Sequence, residues 1–341
     1  MQVVRNCWYV AAWSSELVGE AMMPREVLGE PIVLYRAADG SIVCMEDRCC
    51  HRLAPLSLGE RDGDAVRCLY HGFKFARDGA CVEIPGQKTI PRSACVQTYP
   101  ATEKGGWIWV WMGDPARANL DLVPPAIGPG DEGWLTDQSH LDYDADYQLI
   151  NDNLTDFSHL SYVHRNSFGA TEFFADTRPK VTRLDRGIRI QRWMTSDTSK
   201  VMETAETHDR FQTYDYLVPG ILLMRTTSYP AGAAQASGHD EPAEDLPKLI
   251  EVFSSQALTP IGAQKTRYYF SNSVNEAPGN EHALAGLMAM TFAAFAEDKA
   301  MIEGQQRIIN ADPTRKERLF GHDSGPVQMR RVIAELIEAE Q

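Results

Sequence analysis

Beyond Cys95 the chain has no cysteine at all. Its seven (Cys7, Cys44, Cys49, Cys50, Cys68, Cys81 and Cys95) all fall in the first 95 of 341 residues. An odd number confined to one end gives no disulfide framework and points instead to free thiols or metal ligands. The change in composition also marks a first domain that ends soon after Cys95. Positive charge is scarce as well: 33 Lys and Arg stand against 47 Asp and Glu, a formal net charge of −14, with no basic run. That excludes a nucleic-acid surface. It does not limit small anionic substrates, which respond to local charge inside a pocket. No apolar stretch reaches the length of a membrane span, and the opening "MQVVRNCWYV" lacks the layout of a secretory signal, so a cytoplasmic protein is expected. No internal repeat is present. The length suits one large domain or two ordinary ones, with a sizeable core.

The N-terminal third reads as short strands joined by tight turns. "PIVLYRAADGSIVCME" and "FKFARDGACVEI" each place two β-rich runs around an Asp-Gly pair, at Asp39-Gly40 and Asp78-Gly79. Such pairs supply the positive φ that tight hairpins need. "GGWIWVWMGD" is a further strand, with Trp107, Trp109 and Trp111 on one face as core. "DPARANLDLVPPAIGPGDEG" then carries four prolines after Asp114 and reads as a linker, dividing the chain at 1–118 and 119–341. Beyond it, "DYQLINDNLTDFSHL" (146–160) has helical spacing, 179–275 holds several strand-like runs, and 230–247 reads as a mobile surface loop. Two helices close the chain: "HALAGLMAMTFAAFAEDKAMIEGQQRII", and the amphipathic "PVQMRRVIAELIEA".

Cys49-x-His51 and Cys68-x-x-His71 are separated by only sixteen residues. Chance proximity, a structural zinc site of two cysteines and two histidines, and a Rieske [2Fe–2S] cluster are the three readings. Zinc fingers usually pair like ligands, whereas each segment here offers one cysteine and one histidine, an alternation that suits two irons with different ligands. "CCHRLAPLSLGERDGDAVRCLYHGFKF" closely resembles the Rieske motif. Cys50, between two candidate ligands, is expected to pack as a small hydrophobe.

"NDNLTDFSHLSYVH" offers a second constellation. His159 and His164 are five apart, which an ideal helix would turn away from one another, so the helix must end or distort near Leu160 for both to meet one ion. Two histidines and one carboxylate make the facial triad of non-haem iron(II). The candidate carboxylate is Asp298, in the apolar helix "MTFAAFAEDKAMIEGQQ"; the alternative is a solvated charge beside Glu297 and Lys299.

Over nearly its full length the chain resembles the oxygenase component of Rieske non-haem iron oxygenases. The likeness is carried by "RNCWYVAAW", both cluster segments, "GGWIWVWMGDPARAN", "INDNLTDFSHLSYVH" and "FAEDKAMIEGQQ". The branch is that of the vanillate, dicamba and toluenesulfonate enzymes, and "RNCWYVAAW", "CVEIPGQ" and "EDKAMIEGQQ" look most like the toluenesulfonate type. The resemblance implies an α+β fold: a β-rich N-terminal Rieske domain and a catalytic domain with an antiparallel sheet flanked by helices. It implies Cys49, His51, Cys68 and His71 as cluster ligands, and His159, His164 and Asp298 as ligands of a mononuclear Fe(II). Asn153 matches an amide beside the iron. Asp156 matches a carboxylate that accepts from His71 of a neighbour and from His159 of its own subunit in a head-to-tail trimer. Implied partners are an NAD(P)H-dependent flavin and iron–sulfur reductase, O2 and a small aromatic substrate, with no nucleic acid and no membrane. Gln256 and Ala289 stand where the dicamba type has a histidine and a tryptophan, so dicamba itself is not expected. Candidate pocket residues are Gln256, Ala289, Phe253, Leu217 and Ile221, the last two within "LVPGILLM". The implied reaction is O-demethylation or methyl hydroxylation; ring cis-dihydroxylation is the alternative within the class, and a Rieske electron-transfer protein or a zinc-stapled binding protein the alternatives outside it.

Overall fold

The structure is a computed structural model that describes residues 2–165, 167, 173–197 and 207–340. Contacts divide the chain into two compact units. The first runs to Pro125 and takes in Thr259–Ala263 and Glu340. It is built from eleven short strands: β1 (Trp8–Trp13), β2 (Met23–Val27), β3 (Glu30–Arg36), β4 (Ile42–Glu46), β5 (Glu60–Asp62), β6 (Ala65–Arg67), β7 (Lys74–Phe75), β8 (Cys81–Glu83), β9 (Thr98–Tyr99), β10 (Ala101–Lys104) and β11 (Trp107–Trp111). They form three sheets, ordered β1-β11-β10, β2-β3-β4-β9 and β5-β6-β7-β8. Both Asp-Gly pairs make the expected hairpins. Gly40 and Gly79 have φ of +84° and +83°, and each aspartate accepts the N–H two residues on, from Ser41 and Ala80. At Gly79 a Cβ would also lie 2.2 Å from the carbonyl oxygen of Val96, so no other residue fits. The three tryptophans of β11 are fully buried, with Trp111 against Trp8 and Trp107 against Trp13. The indoles of Trp109 and Trp111 donate to the carbonyls of Lys104 and Asp114, which satisfies their polar edges inside the core.

The second unit holds β12 (Trp134–Tyr143), β13 (Lys180–Leu184), β14 (Gly187–Asp197), β15 (His208–Leu217), β16 (Ile221–Pro230), β17 (Ile250–Gly262) and β18 (Lys265–Asn275) in one sheet, ordered β12-β18-β17-β16-β15-β14-β13. Its helices are α1 (Tyr147–Thr155), α2 (Leu160–Val163), α3 (Phe173–Asp176), α4 (Ala233–Ala236), α5 (Asn280–Ala311) and α6 (Ser324–Glu338). Side chains alternate across a strand, so the registers define one face that meets the long helices. On that face Tyr268 and Phe270 pack on Phe295 of α5, Tyr143 donates to its carbonyl, and Tyr216 donates to Asn151 of α1. Residues 198–206, within the strand-rich segment expected from the sequence, lie outside the described residues. The 230–247 segment lies at the surface as expected, with most of its residues exposed, but it is anchored at one point. Ala233 and Ala234 are buried against Trp193, Phe211 and Tyr229, because two small side chains fit beneath those rings, and Asp209 accepts the N–H groups of Gly232 and Ala234. Among the described residues no helix is long and apolar enough to cross a membrane.

Helix α6 fixes α1 in two ways. Arg330 pairs with Asp152, and Gly325 lets the helix start against the C-terminal end of α1. A Cβ at Gly325 would lie 2.2 Å from the carbonyl oxygen of Thr155, which is backbone and cannot step aside. Gly325→Ala is therefore expected to lower stability by about 2 kcal/mol or more. Denaturant unfolding measures this, and an unchanged midpoint would contradict the packing described.

Candidate functional site

Asp146 caps α1 by accepting the N–H of Gln148, and the helix runs only to Thr155. It breaks at Asp156 (φ −132°, ψ 99°), four residues earlier than the expected break near Leu160. The reason is a competing cap. The carboxylate of Asp156 accepts the backbone N–H and the hydroxyl of Ser158, at 2.9 and 3.0 Å, and so starts a new 3-10 turn, Phe157–His159, that leads into α2. The restart swings His159 and His164 toward each other, with ring centroids 5.3 Å apart.

Their polar partners set which nitrogen faces inward. His159 Nδ1 lies 2.6 Å from the backbone carbonyl of Asp156, which can only accept, so Nδ1 carries the proton and Nε2 the lone pair. His164 Nδ1 lies 2.9 Å from Glu297, whose same oxygen also accepts from Ser167 at 2.7 Å. Both Nε2 atoms then face Asp298, at 3.5 and 3.2 Å. Asp298 is 5% exposed, on the stripe of α5 that also carries Ala294, Phe295 and Ile302, so the solvated reading of it is excluded. Asn153 donates to Asp298 Oδ1 at 3.1 Å and lies 3.3 Å from His159 Nε2. One donor atom from each of His159, His164 and Asp298 lies within 4.8 Å of the others. Burial lowers the pKa of His159, against a smaller opposing pull from Asp298. At His164 burial also lowers it, but the hydrogen bonds to Asp298 and Glu297 prevail and the net shift is upward. Two imidazoles and one buried carboxylate, with coordination positions left over, suit a divalent iron.

The corresponding expectation for Asp156 needs correction. Within the chain it meets His159 through its backbone carbonyl, because its carboxylate is engaged by Ser158.

The two cysteine–histidine loops of the first unit are built alike. The N–H four residues after each cysteine returns to its carbonyl (Leu53 to Cys49, Gly72 to Cys68, both 2.9 Å). Each cysteine N–H donates five residues ahead (Cys49 to Ala54, Cys68 to Phe73, both 2.8 Å). Leu53 and Gly72, at equivalent positions, both adopt positive φ, +60° and +77°. Glycine adopts such a φ freely; the leucine does so without any local preference for it. Cys49 and Cys68 are buried, while His51 and His71 are exposed with ring centroids 4.5 Å apart. Burial, with Cys68 alongside, pushes the Cys49 thiol up to about 11, as expected of a sulfur that ionises only when a metal supplies the charge. The two cysteines are segregated in the interior and the two histidines together at the surface, an arrangement that suits one iron with two thiolates and another with two imidazoles. Cys50 is exposed and does not pack as a hydrophobe: the loop turns inward at Cys49 and outward again at once.

The expected pocket residues are largely not brought together. Gln256 shares the helix-facing side of the sheet, where its amide is held by Ser254 and by Tyr268. Period-two alternation sends Phe253, Leu217 and Ile221 to the other side, where Phe253 meets Trp134 and Arg225. Ala289 is exposed, and nine residues along α5 carry it half a turn away from Asp298. Glu297 was read only as a neighbouring charge, yet it orients His164. Glu297→Gln should lower Fe(II) affinity roughly 10- to 100-fold, read by metal titration, while the protein stays folded. Unchanged affinity would show that Glu297 does not hold the imidazole.

Comparison with known proteins agrees with both centres. Residues 7–100 match the Rieske [2Fe-2S] domain, and residues 143–339 match the vanillate O-demethylase oxygenase C-terminal domain. The chain is 37% identical to the iron–sulfur subunit of a toluene-4-sulfonate monooxygenase system from Comamonas testosteroni, over 99% of this chain and 98% of that one. It is 32% identical to a vanillate O-demethylase oxygenase subunit from Pseudomonas sp., over 99% and 96%. Crystalline dicamba monooxygenase bound to dicamba superposes with a TM-score of 0.85 at 30% identity, covering 100% of this chain and 99% of that one. A chain with two cysteine–histidine loops on a β-rich unit and a buried pair of histidines beside an aspartate is thus matched by both family models and, over nearly its whole length, by these relatives: this protein belongs to the Rieske non-haem iron terminal oxygenases of the toluenesulfonate, vanillate and dicamba branch, and is an O2-dependent monooxygenase.

Proposed function

We propose that the chain is the terminal oxygenase of a multi-component system that removes a methyl group from, or hydroxylates a methyl group on, a small aromatic compound. The observation that carries this is the buried convergence of His159, His164 and Asp298 beside a facing sheet. Residues 1–118 form the cluster domain and 119–341 the catalytic domain. Cys49, His51, Cys68 and His71 hold the [2Fe–2S] cluster, and His159, His164 and Asp298 hold the iron. When bound, the two centres supply single-electron transfer and O2 activation. A cytoplasmic flavin and iron–sulfur reductase brings the electrons from NAD(P)H. One oxygen atom enters the substrate and the other leaves as water, using two electrons and two protons. A methoxy substrate gives a hemiacetal that collapses to a phenol and formaldehyde; an aryl methyl group gives a benzylic alcohol.

The chain's own residues provide position and dryness. Glu297 and the Asp156 carbonyl fix the two imidazoles with Nε2 inward, and Asn153 holds one oxygen of Asp298. Phe157, Tyr214, Tyr268 and Phe295 pack closely around the sheet-facing side and exclude water. Asp156 remains half-buried, with its carboxylate tied, among the described residues, to Ser158, which supports a role in a head-to-tail homotrimer where His71 of the next chain reaches it.

A mixing experiment tests this reading. His71→Ala should lose the cluster spectrum but keep the mononuclear iron, and Asp298→Ala should do the reverse; neither should form product alone. In a randomly mixed head-to-tail ring about a quarter of the junctions pair an intact cluster with an intact iron, so about a quarter of wild-type turnover should return. No recovery in verified mixed assemblies would place the electron path within one chain. Normal turnover by Asp298→Ala alone would remove it from the iron site.

A further inference from the structure

Arg192 sits mid-way along β14 and is 5% exposed. Its Nε and Nη1 have no hydrogen-bond partner, and among the described residues no carboxylate pairs with it. Its guanidinium lies over the ring of Phe174, at 5.0 Å. Across the β14–β15 ladder Arg192 faces Gln212, and Ile190 faces Tyr214, so all four point to the helix side of the sheet. The hydroxyl of Tyr214 and the amide oxygen of Gln212 are buried without partners too. Tyr214 stacks on Phe157 at 5.0 Å, and the Phe157 ring is 6.3 Å from the ring of His159. The cluster therefore stands two ring contacts from the iron site, on the face that Gln256 shares.

A cation taken out of water with nothing to oppose it is among the least favourable burials a fold can contain. Burial accordingly lowers the pKa of Arg192. Among the described residues, Asp156 is a carboxylate whose charge partly offsets this burial, but its oxygens are held by Ser158 and make no hydrogen bond to the guanidinium. Two guanidinium N–H groups and a phenol O–H, all unmatched, make a donor set that lacks its acceptor. Gln212 can accept through its free oxygen or, with the amide turned, donate a further N–H.

We propose that Arg192, with Tyr214 and Gln212, recognises an anionic group, sulfonate or carboxylate, on the aromatic substrate and holds the ring with its other end toward the iron site. The proposal rests on the oxygenase reading and narrows its substrate class to aromatic anions. It also reconciles a strongly acidic protein with an anionic substrate, because the attraction is local and buried.

Equilibrium binding by the holoenzyme tests it, with para-toluenesulfonate, para-toluate and the neutral para-toluamide as probes. Wild type should bind at least one anion about tenfold or more tighter than the amide, as a charge-assisted pair in a dry site requires. The tighter anion identifies the group. Arg192→Met should abolish the preference, leave amide affinity within about threefold, and keep or raise the melting temperature, because it removes an uncompensated buried charge. Arg192→Lys should keep part of the preference, since charge survives and the planar fork does not. An unchanged anion preference in Arg192→Met overturns the proposal, and so does a wild type with no preference. Should Arg192→Met not fold, an unaltered preference in Arg192→Lys and Arg192→Gln alike overturns it equally. O2 consumption with the same probes and a reductase supplying electrons separates the two readings: Arg192-dependent anion binding without oxidation of any probe supports the site and overturns methyl hydroxylation as the reaction, whereas oxidation of the amide without anion preference does the opposite.

Discussion

The 2.6 Å contact between His159 Nδ1 and the backbone carbonyl of Asp156 is the constraint on which the iron site depends. A carbonyl accepts and never donates, so it fixes the imidazole tautomer and turns Nε2 inward. That carbonyl is free because α1 stops at Thr155, and α1 stops because the Asp156 side chain caps the next turn through Ser158. One residue thus ends a helix, begins another and orients a ligand. Histidines five apart, which a continuous helix would separate by well over a right angle, reach one point as a result.

The rest of the centre follows from burial. Asp298 is enclosed by α5 and the sheet, where a bare carboxylate is unfavourable unless paired; two Nε2 atoms and the Asn153 amide surround it. The raised pKa of His164 means that protons compete with a cation for that nitrogen as pH falls. In the first unit the arrangement is reversed: Cys49 and Cys68 are buried and His51 and His71 exposed, so a cluster held by these four would present its histidine edge at the surface, where an electron must leave or arrive.

Much of this was legible from spacing and periodicity. The Asp-Gly hairpins, the tryptophan strand and the two closing helices follow from local chemistry. Asp298 falls at three- and four-residue steps from Ala294, Phe295 and Ile302, so its inward direction was written in the helix period. What was hidden depends on context that single positions do not carry. The break at Asp156 reflects competition between a helix and a cap, which a periodic pattern cannot resolve. Leu53 takes a left-handed conformation that nothing in its chemistry favours. The pocket residues were misplaced because strand faces follow register: Phe253 and Gln256 are three apart and so lie on opposite sides. Arg192 carries no signal in the sequence, and what distinguishes it is burial without a hydrogen-bond partner for Nε and Nη1 among the described residues.

The central claim is that one chain holds two chemically different iron centres. Iron and acid-labile sulfide analysis of protein purified without air, joined to Mössbauer spectra, measures it directly. The account predicts three irons and two sulfides per chain, with one high-spin ferrous site distinct from the cluster pair and lost selectively from Asp298→Ala. A single zinc without sulfide, or two irons with no separate ferrous component in fully reconstituted protein, would contradict it.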